Sequence, residues 1–270
     1  MNRSTLLWIT SIIITVIAAV YQRVTGPTYP LSGKVHFAGK EFEYNLARSH
    51  AGETSATVDL QTDDASISGT VLWKLHKTAD PLQESAMKFE NGILKTSLPL
   101  QPYAGKVQYQ IRLVTNTGEI TMLPAAPVVL RFRGEVPLFV LVPHVLLMFT
   151  AMLFSTRAGL EYFNVQPGYL FFARWTIMTL LAGGFIFGPL MQWYAFDTWW
   201  TGWPVGRDLT DNKTAVALIL WLAALFSLKR SKSPGKWVLV AATGLLLVYL
   251  IPHSLLGSEL EYREFHTQPR

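Results

Sequence analysis

Two histidines of this chain stand in the same unusual context. His144 lies in Val-Pro-His-Val-Leu-Leu and His253 in Ile-Pro-His-Ser-Leu-Leu, each inside a long apolar run. A neutral imidazole offers one ring nitrogen as a donor and the other as a lone pair. A pair from different helices is what the axial positions of a b-type haem require, and it would equally supply part of a copper or non-haem iron site. Each proline also removes a backbone donor and bends its helix. The plainer use of the same residues is a hydrogen bond from each ring to a neighbouring carbonyl or carboxylate. On an ideal helix rise, His144 sits about 13 Å and His253 about 5 Å from the outer ends of their runs, a mismatch of about 8 Å. Helix tilt must remove that difference before one metal holds both rings. Hydrogen bonding is therefore the first expectation, and shared haem or metal ligation the second.

A second group lies in Gln192–Thr214, between two apolar runs. Trp199, Trp200 and Trp203 make it too aromatic for a loop in free solvent and suit it to a membrane interface. Gly202, Pro204 and Gly206 force turns. Asp208, Thr210 and Asp211 are suited to cap the helix that follows. Lys213 falls in the first turn of that helix, against the preference of its dipole, so Asp208, Asp211 or an anionic lipid is expected beside it. The alternative is a ligand or partner pocket closed by this loop, using Trp199, Trp200, Trp203, Arg207, Asp208, Asp211 and Lys213.

The elements that carry these residues follow from the distribution of apolar side chains. The chain has 270 residues, 50% hydrophobic and 15% charged, against roughly 25% charged in an ordinary soluble domain. The excess sits in one short N-terminal run and in four runs beyond residue 136. That distribution rules out a wholly soluble enzyme. The absence of cysteine removes disulfides, thiol catalysis, iron–sulfur clusters and covalent c-type haem.

Crossing a bilayer takes roughly 20 apolar helical residues. The candidates are Leu6–Tyr21, Pro137–Ser155, Tyr169–Met191, Ala215–Leu228 and Trp237–Leu256. The first is read as an anchor over residues 1–21, with a cleaved signal peptide as the alternative. Gly184 and Gly188 form a GxxxG spacing, read as helix packing. Orientation follows the Lys and Arg of short loops. Lys229, Arg230, Lys232 and Lys236 share one loop without an anion, and Arg157, Arg174 and Arg3 are assigned to the same, cytoplasmic, side. The net charge of +5 is thus explained by topology and not by nucleic acid. Five spans with the N-terminus inside put residues 31–133 and the tail 257–270 outside, and a bacterial inner membrane is the expected setting.

Residues 31–133 read as β structure. Val107, Tyr109, Ile111 and Leu113 alternate with Lys106, Gln108, Gln110 and Arg112, the period of a strand with one buried face. Ser68–Leu75 and Ser55–Leu60 repeat the pattern, and a hairpin partner follows in Glu119–Leu123. Turn signals recur every eight to twelve residues. With Trp73 and Tyr109 in core positions, the layout resembles an immunoglobulin-like or fibronectin type III module. That resemblance implies a binding or spacer role and no chemistry of its own.

The fold expected is therefore an α+β membrane protein: an N-terminal transmembrane anchor, an extracytoplasmic β-sandwich, then a four-helix transmembrane bundle over 136–256 with an aromatic outer loop at 192–214. No nucleophile–base pair, phosphate loop, HExxH helix or paired-carboxylate motif is present, so a non-catalytic role is expected. Three roles remain. One is an accessory or assembly subunit of a membrane complex of electron-transfer type, with lipid and other membrane proteins as its partners. The second is a redox protein holding one haem b through His144 and His253. The third is a sensor or carrier of a metal or small ligand.

Overall fold

The computed structural model describes residues 2–206, 208–252, 260 and 262. The chain divides into two units: a helical unit of residues 1–27 and 136–258, and a β unit of residues 28–135 and 259–270. The fold is α+β, a multi-strand region together with several long apolar helices.

In the β unit, β1 (Leu31–Phe37) and β2 (Lys40–Leu46) form a hairpin. Its turn residues Ala38 and Gly39 have φ of 52° and 72°, the paired positive values a two-residue hairpin turn requires. A five-stranded sheet has the order β3 (Ser49–Ala51), β10 (Ile120–Arg133), β9 (Lys106–Thr115), β5 (Ile67–Leu75), β6 (Gln83–Ala86). A three-stranded sheet has the order β4 (Ala56–Gln61), β8 (Ile93–Leu98), β7 (Lys88–Glu90). Met87 separates β6 from β7, so one stretch of chain passes from one sheet to the other there. Gly69 makes the passage possible: a Cβ at that position would lie 2.8 Å from the Met87 sulfur.

Residues from the hairpin and both sheets share one core. Val107, Tyr109, Ile111 and Leu113 of β9 are all buried in it, and the intervening residues are not. Ala56, Val58 and Leu60 of β4 and Leu94 and Leu98 of β8 meet them. Each fully buried aliphatic side chain contributes roughly 1.5–3 kcal/mol by leaving water. The polar atoms of the large aromatics are satisfied: Tyr109 Oη donates to the Ala47 carbonyl at 2.8 Å, and Trp73 Nε1 to Ser85 Oγ at 3.0 Å. Burial pushes the Tyr109 phenol above its ordinary range. The partner of β9 runs ten residues past the expected Glu119–Leu123. Its register shifts between Leu123 and Val128, where Pro124 and Pro127 withdraw two donors from the ladder, and it resumes through Arg131. Tyr262 joins the same unit: its hydroxyl accepts from Lys106 N at 2.9 Å and donates to Lys106 O at 3.1 Å.

In the helical unit, α1 spans Arg3–Thr25, α2 Leu138–Leu160, α3 Tyr169–Leu180, α4 Gly188–Phe196, α5 Leu209–Arg230 and α6 Pro234–Leu250. A π-helical segment, Leu181–Phe187, joins α3 to α4 into one continuous rod. Among the described residues four helices are long and apolar enough to cross a membrane, and α6 is a shorter apolar helix of 17 residues.

The interior of this unit is built from small residues. Ala151, Ala158, Ala173, Ala217, Ala224 and Ala241 are buried, around a fully enclosed Trp221 whose Nε1 donates to Ser155 Oγ at 3.2 Å. Gly159 brings α2 against α6: a Cβ there would lie 2.6 Å from that of Ala242. Helix α1 contributes a face of Leu7, Ser11, Thr15 and Ala18, spaced three to four residues apart, and exposes Ile9, Ile13, Val16, Ile17 and Val20. The close contacts of the π segment belong to Gly183 and Gly184. A Cβ at Gly183 would meet Leu147 and Met148, and one at Gly184 would lie 2.6 Å from Thr214 Cγ2. At Gly188, the second glycine of the GxxxG spacing, a Cβ would find only ordinary contacts at 3.6 Å and beyond.

Candidate functional site

His144 stands one residue past Pro143 in α2. Its Nδ1 lies 2.9 Å from the carbonyl of Gly183, in the π segment. A carbonyl only accepts, so Nδ1 carries the proton and Nε2 presents its lone pair. A π turn changes which backbone groups pair along the rod, and such turns recur where helices carry functional groups. His253 lies outside the described residues, and so does Arg207. Among the described residues, no group of three or more His, Asp or Glu is placed to hold a metal ion.

The loop ahead of α5 is a built structure. Asp197, with φ of 56°, closes α4, and its N–H donates to the Trp193 carbonyl at 2.9 Å. Asp208 is the N-cap of α5, its Oδ1 accepting from Thr210 N at 2.7 Å. The aspartate three residues further on holds the loop down. Asp211 Oδ1 accepts from Gln192 Nε2 at 2.8 Å, and Oδ2 from Thr201 N at 2.8 Å. Asn212 Oδ1 accepts from Trp203 N at 2.6 Å. Gly202 is required at this approach, since a Cβ there would lie 2.6 Å from that of Asp211. Trp200 stacks on Phe185 with centroids 5.8 Å apart and donates from Nε1 to the Trp203 carbonyl at 3.2 Å. Trp199 stacks on Trp193 at 4.8 Å.

Lys213 points elsewhere. Its ammonium donates to the carbonyl of Ile251 at 2.9 Å, the C-cap of α6. A cation in the unfavourable first turn of one helix thus sits at the favourable C-terminal end of another. Of the contacts expected for Lys213, the Asp208 carboxylate acts on it through its charge, while its hydrogen bond goes to a helix end, because α6 terminates beside the start of α5.

The sequence reading overlooked a third cluster. Arg157 and Glu161 form a buried ion pair at the end of α2, with side chains 3% and 2% exposed. Glu161 also accepts from Gly168 N at 2.6 Å and from Asn164 Nδ2 at 3.1 Å, tying down the turn between α2 and α3. The guanidinium lies 4.7 Å from the Phe172 ring centroid and 5.5 Å from that of Trp8 on α1. Arg3 donates to the Phe163 carbonyl close by. Arg157 is therefore a neutralised interior residue and not a loop cation. The signal was available, because opposite charges four residues apart share a helix face.

The chain matches no family model and no curated protein.

Proposed function

We propose that this chain is an integral inner-membrane accessory or assembly subunit, with its β unit as an immunoglobulin-like interaction module on the periplasmic side. The observation that carries this reading is the reversal of surface chemistry between the units. The helical unit turns large apolar side chains outward, Leu138 and Phe139 being 70% and 68% exposed, with Ile17, Leu146, Ile186 and Ile219 alike. The β unit encloses most of its large apolar residues, with Ile120 and Leu82 among the exceptions, and carries the Lys34–Glu41, Lys40–Asp64 and Arg112–Glu84 pairs at its surface. A helix surface of that kind is stable against lipid.

Connectivity supports five crossings. Tyr262, beyond α6, belongs to the same unit as residues 28–135, which follow α1. With the three long helices that follow residue 135 crossing, both ends of the run lie on one side only if the short α6 crosses as well. A membrane protein whose compact β unit is tied to its own tail has the form of a scaffold subunit, and electron-transfer complexes are the class of partner we favour.

The test is native-gel migration after mild detergent extraction, with a photocrosslinker at Phe89, an exposed strand residue. Migration in a larger membrane complex, with a discrete crosslink from the β unit, is the expected result. A free monomer without crosslinks in the native membrane overturns the subunit reading.

One observation favours a second reading, a single haem b. The Gly183 carbonyl leaves Nε2 of His144 as a lone pair, the form in which imidazole binds iron. Purified protein would then show a Soret band that disappears in His144→Ala and His253→Ala. Colourless protein from haem-replete cells removes that reading.

A further inference from the structure

The loop between α4 and α5 is folded inside out relative to a soluble loop. The charged groups where it meets α5 are turned in: Asp208, Asp211 and Lys213 are each less than a tenth exposed, while Asp197 at its start is exposed. Its aromatic and aliphatic groups are turned out: Trp199 is 51%, Trp203 78% and Val205 76% exposed. Four backbone donors along it are taken up within the protein. Thr201 N goes to Asp211, Trp203 N to Asn212, Gly206 N to the Gly202 carbonyl at 2.8 Å and Asp208 N to the Thr201 carbonyl at 2.9 Å. Each donor satisfied in this way lowers the cost of seating the segment in a medium that supplies little water.

We propose that residues 197–206 form an interfacial anchor, seated in the headgroup region of the outer leaflet with Trp203 and Val205 toward the acyl chains. This rests on the membrane reading of the helical unit and goes beyond it, since neither a span nor a partner contact requires the loop to enter lipid. The occupant is lipid because the exposed surface is continuous with the apolar faces on either side. Ile186 and Trp193 precede the loop at 59% and 40% exposed, and Val216 and Ile219 follow at 49% and 63%. Tryptophan is a side chain that a headgroup boundary favours. The clamps of Asp211 and Asn212 give the anchor a fixed height relative to α5, so it sets how deep that helix sits.

The test uses the full chain in phosphatidylcholine vesicles, with the Trp203 emission obtained as the difference between the parent and Trp203→Phe. The parent is first washed with alkaline carbonate. Release from the vesicles overturns the membrane reading itself. With the protein retained, quenching of the Trp203 emission by lipid brominated near the headgroup, together with resistance to aqueous iodide, is the expected result. Quenching by iodide without quenching by bromolipid overturns the anchor and leaves the spans intact. Resistance to both quenchers also overturns it, since a protein surface would then cover the loop. Val205→Asp supplies an independent reading: in it Trp203 should become open to iodide while far-ultraviolet circular dichroism stays unchanged. Retained shielding in that variant counts against the anchor.

Discussion

The two units solve the burial problem in opposite ways. The β unit encloses its largest side chains, Tyr109, Phe132, Leu98 and Ile111 among them, and leaves lysines and glutamates outside. The helical unit encloses many alanine, glycine, serine and threonine residues around a few large ones such as Trp221, Leu180 and Leu245, and leaves many leucine, isoleucine and phenylalanine side chains outside. In water, removal of large apolar surface drives folding. Between helices in lipid that drive is absent, and close backbone approach with a few internal hydrogen bonds replaces it. One chain thus carries two definitions of a core. The difference teaches that burial must be judged against the solvent each unit meets.

The comparison breaks most readily at the few charges the helical unit keeps inside. Glu161→Ala leaves the Arg157 guanidinium buried without its partner, and the expected loss is roughly 3–5 kcal/mol. Thermal unfolding in detergent should show the helical transition lowered while the β transition stays in place. Next comes the β core. Ile111→Ala removes a fully enclosed side chain, with an expected loss of roughly 2–5 kcal/mol. Denaturant unfolding of the same protein should now show the reverse pattern. A mutation that moves both transitions equally would mean that the units are not separate in stability.

A finer test contrasts the two faces of α1. Ser11→Leu forces a large side chain into a buried position whose hydroxyl bonds the Leu7 carbonyl, and it should cost roughly 1–3 kcal/mol. Ile13→Leu on the exposed face should leave the helical transition where it is. The smallest effect is a pH dependence of the β unit. The Lys40 ammonium, aided by the Ser66 hydroxyl and N–H, holds the Asp64 carboxyl well below the usual carboxylate range. A depressed folded value means the contribution is complete above the unfolded value, about 3.9, and is lost as pH falls through the folded one. Acid titration of stability should therefore be slightly shallower in Asp64→Asn than in the parent, over that window alone.

The β9 strand was legible because one of its faces is wet and the other dry, which writes alternation into Lys106–Leu113. Its partner β10 was legible only to Leu123. Beyond that, Pro124 and Pro127 break the pattern although the strand continues. Helices α1 and α2 were legible from apolar content, but α5 starts six residues ahead of its apolar run, because Asp208 caps a first turn made of Thr210, Asp211, Asn212 and Lys213. An aspartate before a helix signals a cap. Nothing local signals that Asp211, three residues later, will receive the backbone of Thr201. The Gly183 partner of His144 was equally hidden, since it depends on a register change in another helix. The Arg157–Glu161 pair was written in the spacing and passed over, because a basic residue at a helix end reads first as a topological marker.

Tyr262 has a consequence for biosynthesis. The turn Pro102–Lys106 leaves the ribosome early, whereas the phenol that receives the Lys106 N–H is translated after α6. The β unit is therefore completed last although most of it is synthesised first. A chain cut ahead of Tyr262 leaves Lys106 N and O at the start of β9 without the phenol that bridges them.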